Sequence, residues 1–148
     1  MIALIQKVKK AHVEINNKLY SQINRGILIL LGIHTKDTKE DVQYLAKKII
    51  NARIFSDRNN KMNLNIEDIS GSMLVVSQFT LYGNLKKGNR PSFINSASPH
   101  IAEPLYHNFI SLLKEYNIKI ETGKFGAMMD VNLINDGPVT LILDTRNE

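Results

Sequence analysis

The segment Gly26–Ile33 constrains the fold more than any other part of the chain. It reads Gly-Ile-Leu-Ile-Leu-Leu-Gly-Ile and carries no polar side chain. A strand that faces water on one side alternates apolar with polar residues, whereas a strand covered on both sides is apolar throughout. The segment is also far shorter than the roughly 20 apolar residues that a membrane span requires. We therefore predict a central strand, covered on both faces, in an α/β domain.

Further strands are predicted on either side of this segment. Met1–Ile15 alternates well enough for one long strand or two short ones, and Asn16-Asn17 is typical of a turn. Lys18–Ile23 is predicted to return from that turn as the second arm of a hairpin. Later in the chain, the patterns predict strands at Arg53–Phe55, Met73–Thr80, Ile118–Glu121, Met128–Ile134 and Val139–Leu143.

Two amphipathic helices complete the predicted elements. The first has Thr38 as its N-cap and ends near Ala52. The second is opened by either Pro99 or Pro104, since both suit the first turn of a helix. Its predicted buried face consists of Leu105, Phe109, Leu112, Leu113 and Tyr116. With no linker or internal repeat between these elements, we expect residues 1–148 to form a single α/β domain.

Composition excludes several classes of protein. The chain has 148 residues and no Cys, so disulfides, thiolate zinc sites and cysteine nucleophiles are excluded. The start, Met1–Lys7, meets a charged residue too soon for a secretory leader, and we expect a cytoplasmic protein without a membrane span. The formal net charge of +5 is compatible with a polyanionic partner such as a nucleic acid.

Conventional side-chain catalysts are scarce in this sequence. The four histidines fall on different predicted elements without the spacing of metal ligands, so no metal site is predicted. No P-loop is present, and no G-x-G-x-x-G follows a strand, so no nucleotide cofactor is predicted. Ser77 lacks the G-x-S-x-G elbow of a serine hydrolase.

Two stretches stand out once these sites are excluded. Ser77-Gln78-Phe79-Thr80 ends a predicted strand, where free main-chain N–H groups can stabilise an oxyanion, or where Ser and Thr simply satisfy local backbone groups. Asn135–Thr140 (Asn-Asp-Gly-Pro-Val-Thr) is predicted to be the turn between the last two strands. It is either an ordinary hairpin turn or a ligand-facing piece of main chain, because Gly137 has no Cβ and Pro138 fixes φ.

Together, Ser77-Gln78-Phe79-Thr80-Leu81 and Asn135–Thr140 resemble the two signature motifs of the D-aminoacyl-tRNA deacylases. Both motifs occur in the family's order and spacing, in a chain of the family's length. The resemblance covers nearly the whole chain. It includes Gly32, Asp37-Thr38, Arg53-Ile54-Phe55, Asp57, Lys61-Met62-Asn63, Lys87-Gly88, Arg90-Pro91-Ser92-Phe93, Leu105-Tyr106, Phe109 and Phe125-Gly126-Ala127.

The resemblance implies a homodimeric editing enzyme for the quality control of translation. Such an enzyme hydrolyses the ester between a D-amino acid and the 3′-terminal adenosine of tRNA, without a cofactor or metal. The family fold is a three-layer β/β/α arrangement with a mixed or antiparallel, barrel-like sheet and two main helices. In the family, the Ser-Gln-Phe-Thr motif lines the site of one subunit, and the Gly-Pro motif, with a cis peptide bond, is inserted from the other.

Roles for individual residues follow from the resemblance. The implied catalytic residues, which bind the ester and terminal adenosine, are Ser77, Gln78, Phe79 and Thr80. The implied substrate-binding residues, around the amino acid, are Gly137, Pro138, Phe125 and Asn135. A rigid main-chain wall would reject an L side chain by collision and would admit glycine. The terminal 2′-hydroxyl is expected to activate water, which would account for the missing general base.

Several alternatives stay open at this point. The chain could be a non-catalytic RNA-binding module, or an esterase that depends on Ser77 or Thr80. The sequence does not decide whether Thr80 is a nucleophile or only positions the substrate. It also does not decide whether Lys86, Lys87 and Arg90 contact tRNA phosphates, or which D-amino acids and tRNAs are preferred.

Overall fold

Eight strands and two α-helices are present in the computed structural model, which describes residues 1–146. In chain order they are β1 (Ile2–Ile15), β2 (Lys18–Ile23), β3 (Gly26–Gly32), α1 (Lys39–Ile50), β4 (Phe55–Ser56), β5 (Met62–Leu64), β6 (Ser72–Ser77), α2 (Pro99–Lys114), β7 (Lys119–Thr122) and β8 (Asp130–Asp144). A short 3₁₀ helix, Phe79–Tyr82, follows β6. Neither of the described α-helices is long and apolar enough to cross a lipid bilayer.

Strand β1 connects the parts of the main sheet. Along one edge it pairs antiparallel with β3 through its first half and with β2 through its second half. Along the other edge it pairs antiparallel with β8 over nearly its whole length. The sheet continues from β3 through β6 to β7 in parallel pairs, and β2 approaches both β6 and β7, so the sheet nearly closes on itself. This mixed, barrel-like sheet was predicted.

Side chains on opposite faces of β3 and β6 enter two different cores, which divides the fold into three layers. The core beneath the helices includes Ile27, Ile29, Leu31, Met73 and Val75 together with Leu45, Ile49, Phe109 and Leu113. The core on the opposite side includes Leu28, Leu74 and Val76 together with Val8, Ala11, Val13 and Ile23. Burying each such side chain contributes roughly 1.5–3 kcal/mol. The predicted central strand and the β/β/α order of layers are confirmed.

Several predicted elements are confirmed. The segment predicted as one long strand or two short ones forms the single strand β1, Ile2–Ile15, and the turn after it places Asn16 and Asn17 at φ values of 52° and 58°. Asparagine tolerates this left-handed conformation better than most residues. Thr38 is the N-cap of α1, and its main-chain N–H donates to the Asp41 carboxylate at 2.9 Å. Pro99, and not Pro104, opens α2.

Three predictions of local structure are wrong in part. The strand expected at Met73–Thr80 ends at Ser77, because its neighbour β3 ends there and the chain turns into the 3₁₀ helix. The strand expected at Arg53–Phe55 is shifted to Phe55–Ser56. In α2, Tyr106 is buried whereas Tyr116 is exposed, since Tyr116 lies beyond the last helical turn.

The prediction of a hairpin turn at Gly137-Pro138 is also wrong. The strands before and after it both pair with β1 in the same direction and belong to the single strand β8. Gln6 pairs with Thr140 and Val8 with Asn135, so Asp136–Val139 forms a bulge opposite the one residue Lys7. A bulge pushes extra main chain out of the ladder without reversing the strand. The two halves of β8 therefore both pair with β1 and do not pair with each other.

Candidate active site

A cavity of about 720 Å³ opens where β3 and β6 end against the start of α2. Its walls come from four parts of the chain that are distant in sequence. The lining residues are Leu31, Ile33, Val76, Ser77, Gln78, Phe79, Thr80, Phe93, Ser96, Ala97, Pro99, Ala102, Phe125, Gly126, Ala127, Met128, Met129 and Val131. The structure thus brings Ser77–Thr80 and Phe125 together in one wall. Cavities of this size enclose small-molecule ligands or one end of a larger ligand.

The path of the chain after β6 depends on a close approach to β3. The Gln78 main-chain N–H donates to the carbonyl of Leu31 at 2.8 Å, which is the last bond before the chain turns away. A Cβ atom at Gly32 would lie 3.1 Å from the Gln78 carbonyl oxygen and 3.2 Å from the Leu81 Cβ. Glycine at this position therefore lets residues 78–81 pass over the end of β3.

Hydrogen-bond donors remain free at the start of the 3₁₀ helix. Among the residues described, none accepts a hydrogen bond from the main-chain N–H groups of Phe79 and Thr80. The Gln78 side-chain amide donates to the Thr80 hydroxyl, which fixes both side chains relative to each other. Free N–H groups held in place by main chain are the donors that stabilise an oxyanion in acyl transfer. The N–H groups of Phe79 and Thr80 are therefore available to bind an oxyanion in this cavity.

Aromatic rings define the mouth of the cavity and one of its walls. The ring of Phe79 is 57% exposed and meets the ring of Phe93 edge to face, with centroids 5.0 Å apart. Phe125 is half-buried and leans against Tyr106 at 5.6 Å. The Tyr106 hydroxyl donates to the Val75 carbonyl at 2.9 Å, which anchors this pair to β6. Phe79 and Phe125 can therefore hold flat or apolar parts of a ligand.

Of the described residues that line the cavity, none has an ionisable side chain. Two tyrosines adjoin wall residues: Tyr106 packs against Phe125, and Tyr82 follows Thr80 in the 3₁₀ helix. Burial raises the pKa of Tyr106, and burial together with the nearby Asp37 carboxylate raises the pKa of Tyr82. Both phenols are therefore neutral at physiological pH and are poor general bases. The described residues that line the cavity therefore provide no general base.

Asn135, Gly137 and Pro138 lie outside the wall of this cavity. They form the bulge of β8, where Gly137 and Pro138 are exposed and joined by a cis peptide bond. The Asn135 side chain accepts from the Val139 N–H at 3.0 Å and donates to the Thr140 hydroxyl at 2.8 Å. These bonds close the base of the bulge, so the Asn135 side chain supports the main chain of the bulge itself.

Several wall residues were not predicted as site residues. They include Phe93, Ala97, Met128 and Met129, of which Met128 is 92% exposed. A large apolar residue in an otherwise polar, glycine-containing loop is the signal that could have indicated Phe93 and Met128. Ala97 and Met129 offer no such signal, because small or apolar residues near helix and strand starts are usual core positions.

Known proteins resemble this chain over nearly its whole length. The chain matches the family model described as D-Tyr-tRNA(Tyr) deacylase over residues 4–144. It is 57% identical to the D-aminoacyl-tRNA deacylase of Thermosipho africanus (strain TCF52B), over 99% of this chain and 98% of that one. It is 55% identical to the D-aminoacyl-tRNA deacylase of Desulfatibacillum aliphaticivorans, over 99% of this chain and 100% of that one.

Two solved structures are similar over almost the whole chain. The c-Myc DNA Unwinding Element Binding Protein superposes with a TM-score of 0.93 at 40% identity, covering 98% of this chain and 99% of that one. A probable eukaryotic D-amino acid tRNA deacylase superposes with a TM-score of 0.84 at 17% identity, covering 96% and 97%, which bears on the fold alone. From the family match and the identity to full-length relatives, the chain belongs to the D-Tyr-tRNA(Tyr) deacylase family.

Proposed function

We propose that this protein is a D-aminoacyl-tRNA deacylase, which hydrolyses the ester between a D-amino acid and the 3′-terminal adenosine of tRNA. The observation that carries the proposal is the cavity around Ser77–Thr80. It offers hydrogen-bond donors and aromatic walls but no ionisable side chain among the described residues that line it. That combination suits a ligand that brings its own catalytic group.

The free N–H groups of Phe79 and Thr80 are proposed to stabilise the transition state. Water adds to the ester carbonyl carbon, and the carbonyl oxygen becomes an oxyanion that these N–H groups can bind. The bond between the carbonyl carbon and the 3′ oxygen then breaks, and the 3′ oxygen takes up a proton. The products are the free D-amino acid and tRNA. Removing one such donor typically lowers kcat by about 10²–10³.

The 2′-hydroxyl of the terminal ribose is proposed to activate the water. It is adjacent to the ester in any 3′-aminoacyl-tRNA, so it needs no separate binding site. The proposal is supported by the composition of the cavity wall, whose described residues provide no base. Gln78 and Thr80, linked by their side-chain hydrogen bond, are proposed to orient the ribose and ester. Holding the reacting groups in the correct orientation increases the rate of the reaction.

A homodimer is proposed to complete the site. The outer edge of β8 is unpaired within the part of the chain that the structure describes, and Ile134, Leu141 and Ile142 are exposed along it. A long edge strand with exposed apolar side chains is a template for pairing with another chain. If a second copy of the chain paired with this edge, the exposed bulge of Gly137 and Pro138 in each copy would contact the other copy.

Selection against L-amino acids is proposed to come from this bulge. Main chain at Gly137 has no Cβ, so it can lie against the substrate Cα, and the proline ring restricts its movement. An L side chain would collide with this wall, whereas a D side chain would point away from it. Because the mechanism rejects side chains and does not recognise them, glycyl-tRNA should also be hydrolysed.

The direct test is to incubate the purified protein with D-tyrosyl-tRNA and with L-tyrosyl-tRNA and to measure release of the amino acid. The proposal predicts rapid hydrolysis of the D ester and a rate for the L ester close to that without protein. Glycyl-tRNA is predicted to be hydrolysed as well. Binding of D-tyrosyl-tRNA without hydrolysis would instead support a non-catalytic RNA-binding module.

A further inference from the structure

A loop with three positive charges stands beside the mouth of the cavity. Asn84 and Ser92 exchange two main-chain hydrogen bonds, each of 2.9 Å, which close the base of residues 85–91. We call residues 85–91 the basic loop, because it contains Lys86, Lys87 and Arg90, all of them exposed. The loop is closed at its base and carries all three charges between residues 86 and 90.

Both ends of the basic loop are attached to the cavity wall. On one side the Gly83 N–H donates to the Thr80 carbonyl at 2.9 Å, which joins the loop to the 3₁₀ helix. On the other side Phe93 packs against Phe79, with ring centroids 5.0 Å apart. A Cβ atom at Gly83 would lie 3.0 Å from the Phe93 ring, so this junction is tight. The loop is therefore fixed beside the opening through which a ligand enters.

The charge of the basic loop is not neutralised by neighbouring side chains. The sequence contains no acidic residue between Asp68 and Glu103. Within residues 1–146, no ion pair is formed by Lys86, Lys87 or Arg90. Like charges so close together repel each other, which opposes folding and favours the binding of an anion.

We propose that the basic loop binds the phosphates of the tRNA acceptor end next to the terminal adenosine. This inference rests on the proposed function, since a 3′ terminus bound in the cavity must leave through the mouth with its phosphodiester backbone. Lysine and arginine contacts to phosphate fix position and register but carry no sequence information. The basic loop should therefore contribute affinity for all tRNAs alike, whichever amino acid they carry.

The test replaces the three charges together, as Lys86→Gln, Lys87→Gln and Arg90→Gln in one chain. The matched control, Lys39→Gln, Lys47→Gln and Arg58→Gln, removes the same number and kind of exposed charges outside the cavity wall. Three quantities are measured at several salt concentrations. They are the Kd for uncharged tRNA, kcat/KM on D-tyrosyl-tRNA, and kcat/KM on D-tyrosyl-adenosine, which has no acceptor stem.

The proposal predicts that the loop variant loses at least about tenfold in affinity for tRNA at low salt. The slope of log Kd against log salt should shrink by about 2 to 3, as expected for three lost phosphate contacts. Its kcat/KM should fall on D-tyrosyl-tRNA and remain unchanged on D-tyrosyl-adenosine. The control variant should resemble the wild type in all three measurements.

Two results would overturn the proposal. One is an unchanged tRNA affinity and salt slope in the loop variant, or a loss equal to that of the control. The other is an equal loss of kcat/KM on both substrates, which would mean that the loop acts through the cavity wall. If the wild type hydrolyses neither substrate, the proposed function fails, while the Kd for uncharged tRNA still decides whether the basic loop binds RNA.

Discussion

The ammonium group of Lys7 lies 3.7 Å from the carboxylate of Asp136 and joins the middle of β1 to the bulge that carries Gly137 and Pro138. The Lys7 side chain is only 10% exposed, and Asp136 is 31% exposed. The aliphatic part of the Lys7 side chain is therefore buried beneath the bulge, and its ammonium group faces Asp136, the first residue of the bulge. The pair connects the sheet to the main chain proposed to select the substrate.

Replacing Lys7 by Met is expected to loosen the bulge, because the stem is kept while the charge opposite Asp136 is lost. The free energy of unfolding should fall by roughly 1 kcal/mol, the scale of a partly exposed ion pair. The kcat/KM on D-tyrosyl-tRNA should fall between about tenfold and a hundredfold, since positioning errors are costly for catalysis. Lys47→Met on the surface of α1 serves as the control and should change neither quantity.

Gly137→Ala should impair activity more than stability. Gly137 has a φ of +125°, and a Cβ there would lie 2.9 Å from the Val139 Cγ2 atom and 3.2 Å from the Val139 nitrogen. Strain of this kind costs about 1–3 kcal/mol in unfolding free energy. Ile49→Val in α1, a buried truncation that costs about 0.5–1.5 kcal/mol, is the reference for stability loss alone. Equal kcat/KM in these two variants would contradict a role for Gly137 at the substrate.

A substrate ending in 2′-deoxyadenosine separates ribose-assisted hydrolysis from catalysis by a protein nucleophile. If the 2′-hydroxyl activates the water, this substrate should bind but react at least about a hundredfold more slowly, because the activating group is gone. Thr80→Ala should retain measurable activity on the natural substrate, with a loss of about tenfold, the scale of one hydrogen bond. Abolished activity in Thr80→Ala with full activity on the deoxy substrate would instead identify Thr80 as a nucleophile.

Asp57 should give the protein a specific sensitivity to acid. Its carboxylate accepts from the Asn63 side chain at 2.7 Å and from the N–H groups of Asn59 and Lys61 at 2.8 and 3.0 Å, and these bonds lower its pKa. An acid with a lowered pKa stabilises the folded state above its unfolded pKa of about 3.9. That stability is lost as the pH falls through the folded pKa. Urea unfolding from pH 7 to pH 3 should show a shallower acid-side decline in Asp57→Asn than in the wild type or in Glu67→Gln.

Local patterns predicted the parts of the fold whose causes are local. The central strand Gly26–Gly32 and the helix after Thr38 both follow from residues within a few positions of one another. The bulge at Gly137 does not, because it depends on pairing with β1 at the other end of the chain. Two runs of alternating apolar and polar residues, separated by a break, are compatible with a hairpin and equally with a single bulged strand.

The candidate site was predictable only to the extent that its motifs resemble a family. Ser77–Thr80 and Phe125 were expected together, and the structure places them in one cavity. Phe93 and Met128 were missed because loop residues show no periodicity that would indicate which way they point. The position of Gly137 and Pro138 outside that cavity depends on the pairing of β8, which no local pattern reports.

The most direct test of a site shared between two subunits is complementation between Thr80→Ala and Gly137→Ala. Each variant alone should be impaired at both sites of its dimer. In a mixed dimer, one site would combine the intact Ser77–Thr80 segment of one subunit with the intact bulge of the other. Random exchange should therefore restore about a quarter of the sites to wild-type kcat/KM on D-tyrosyl-tRNA. If mixing restores no activity although mixed dimers are present by native mass spectrometry, the two motifs do not meet across subunits and the proposed mechanism is contradicted.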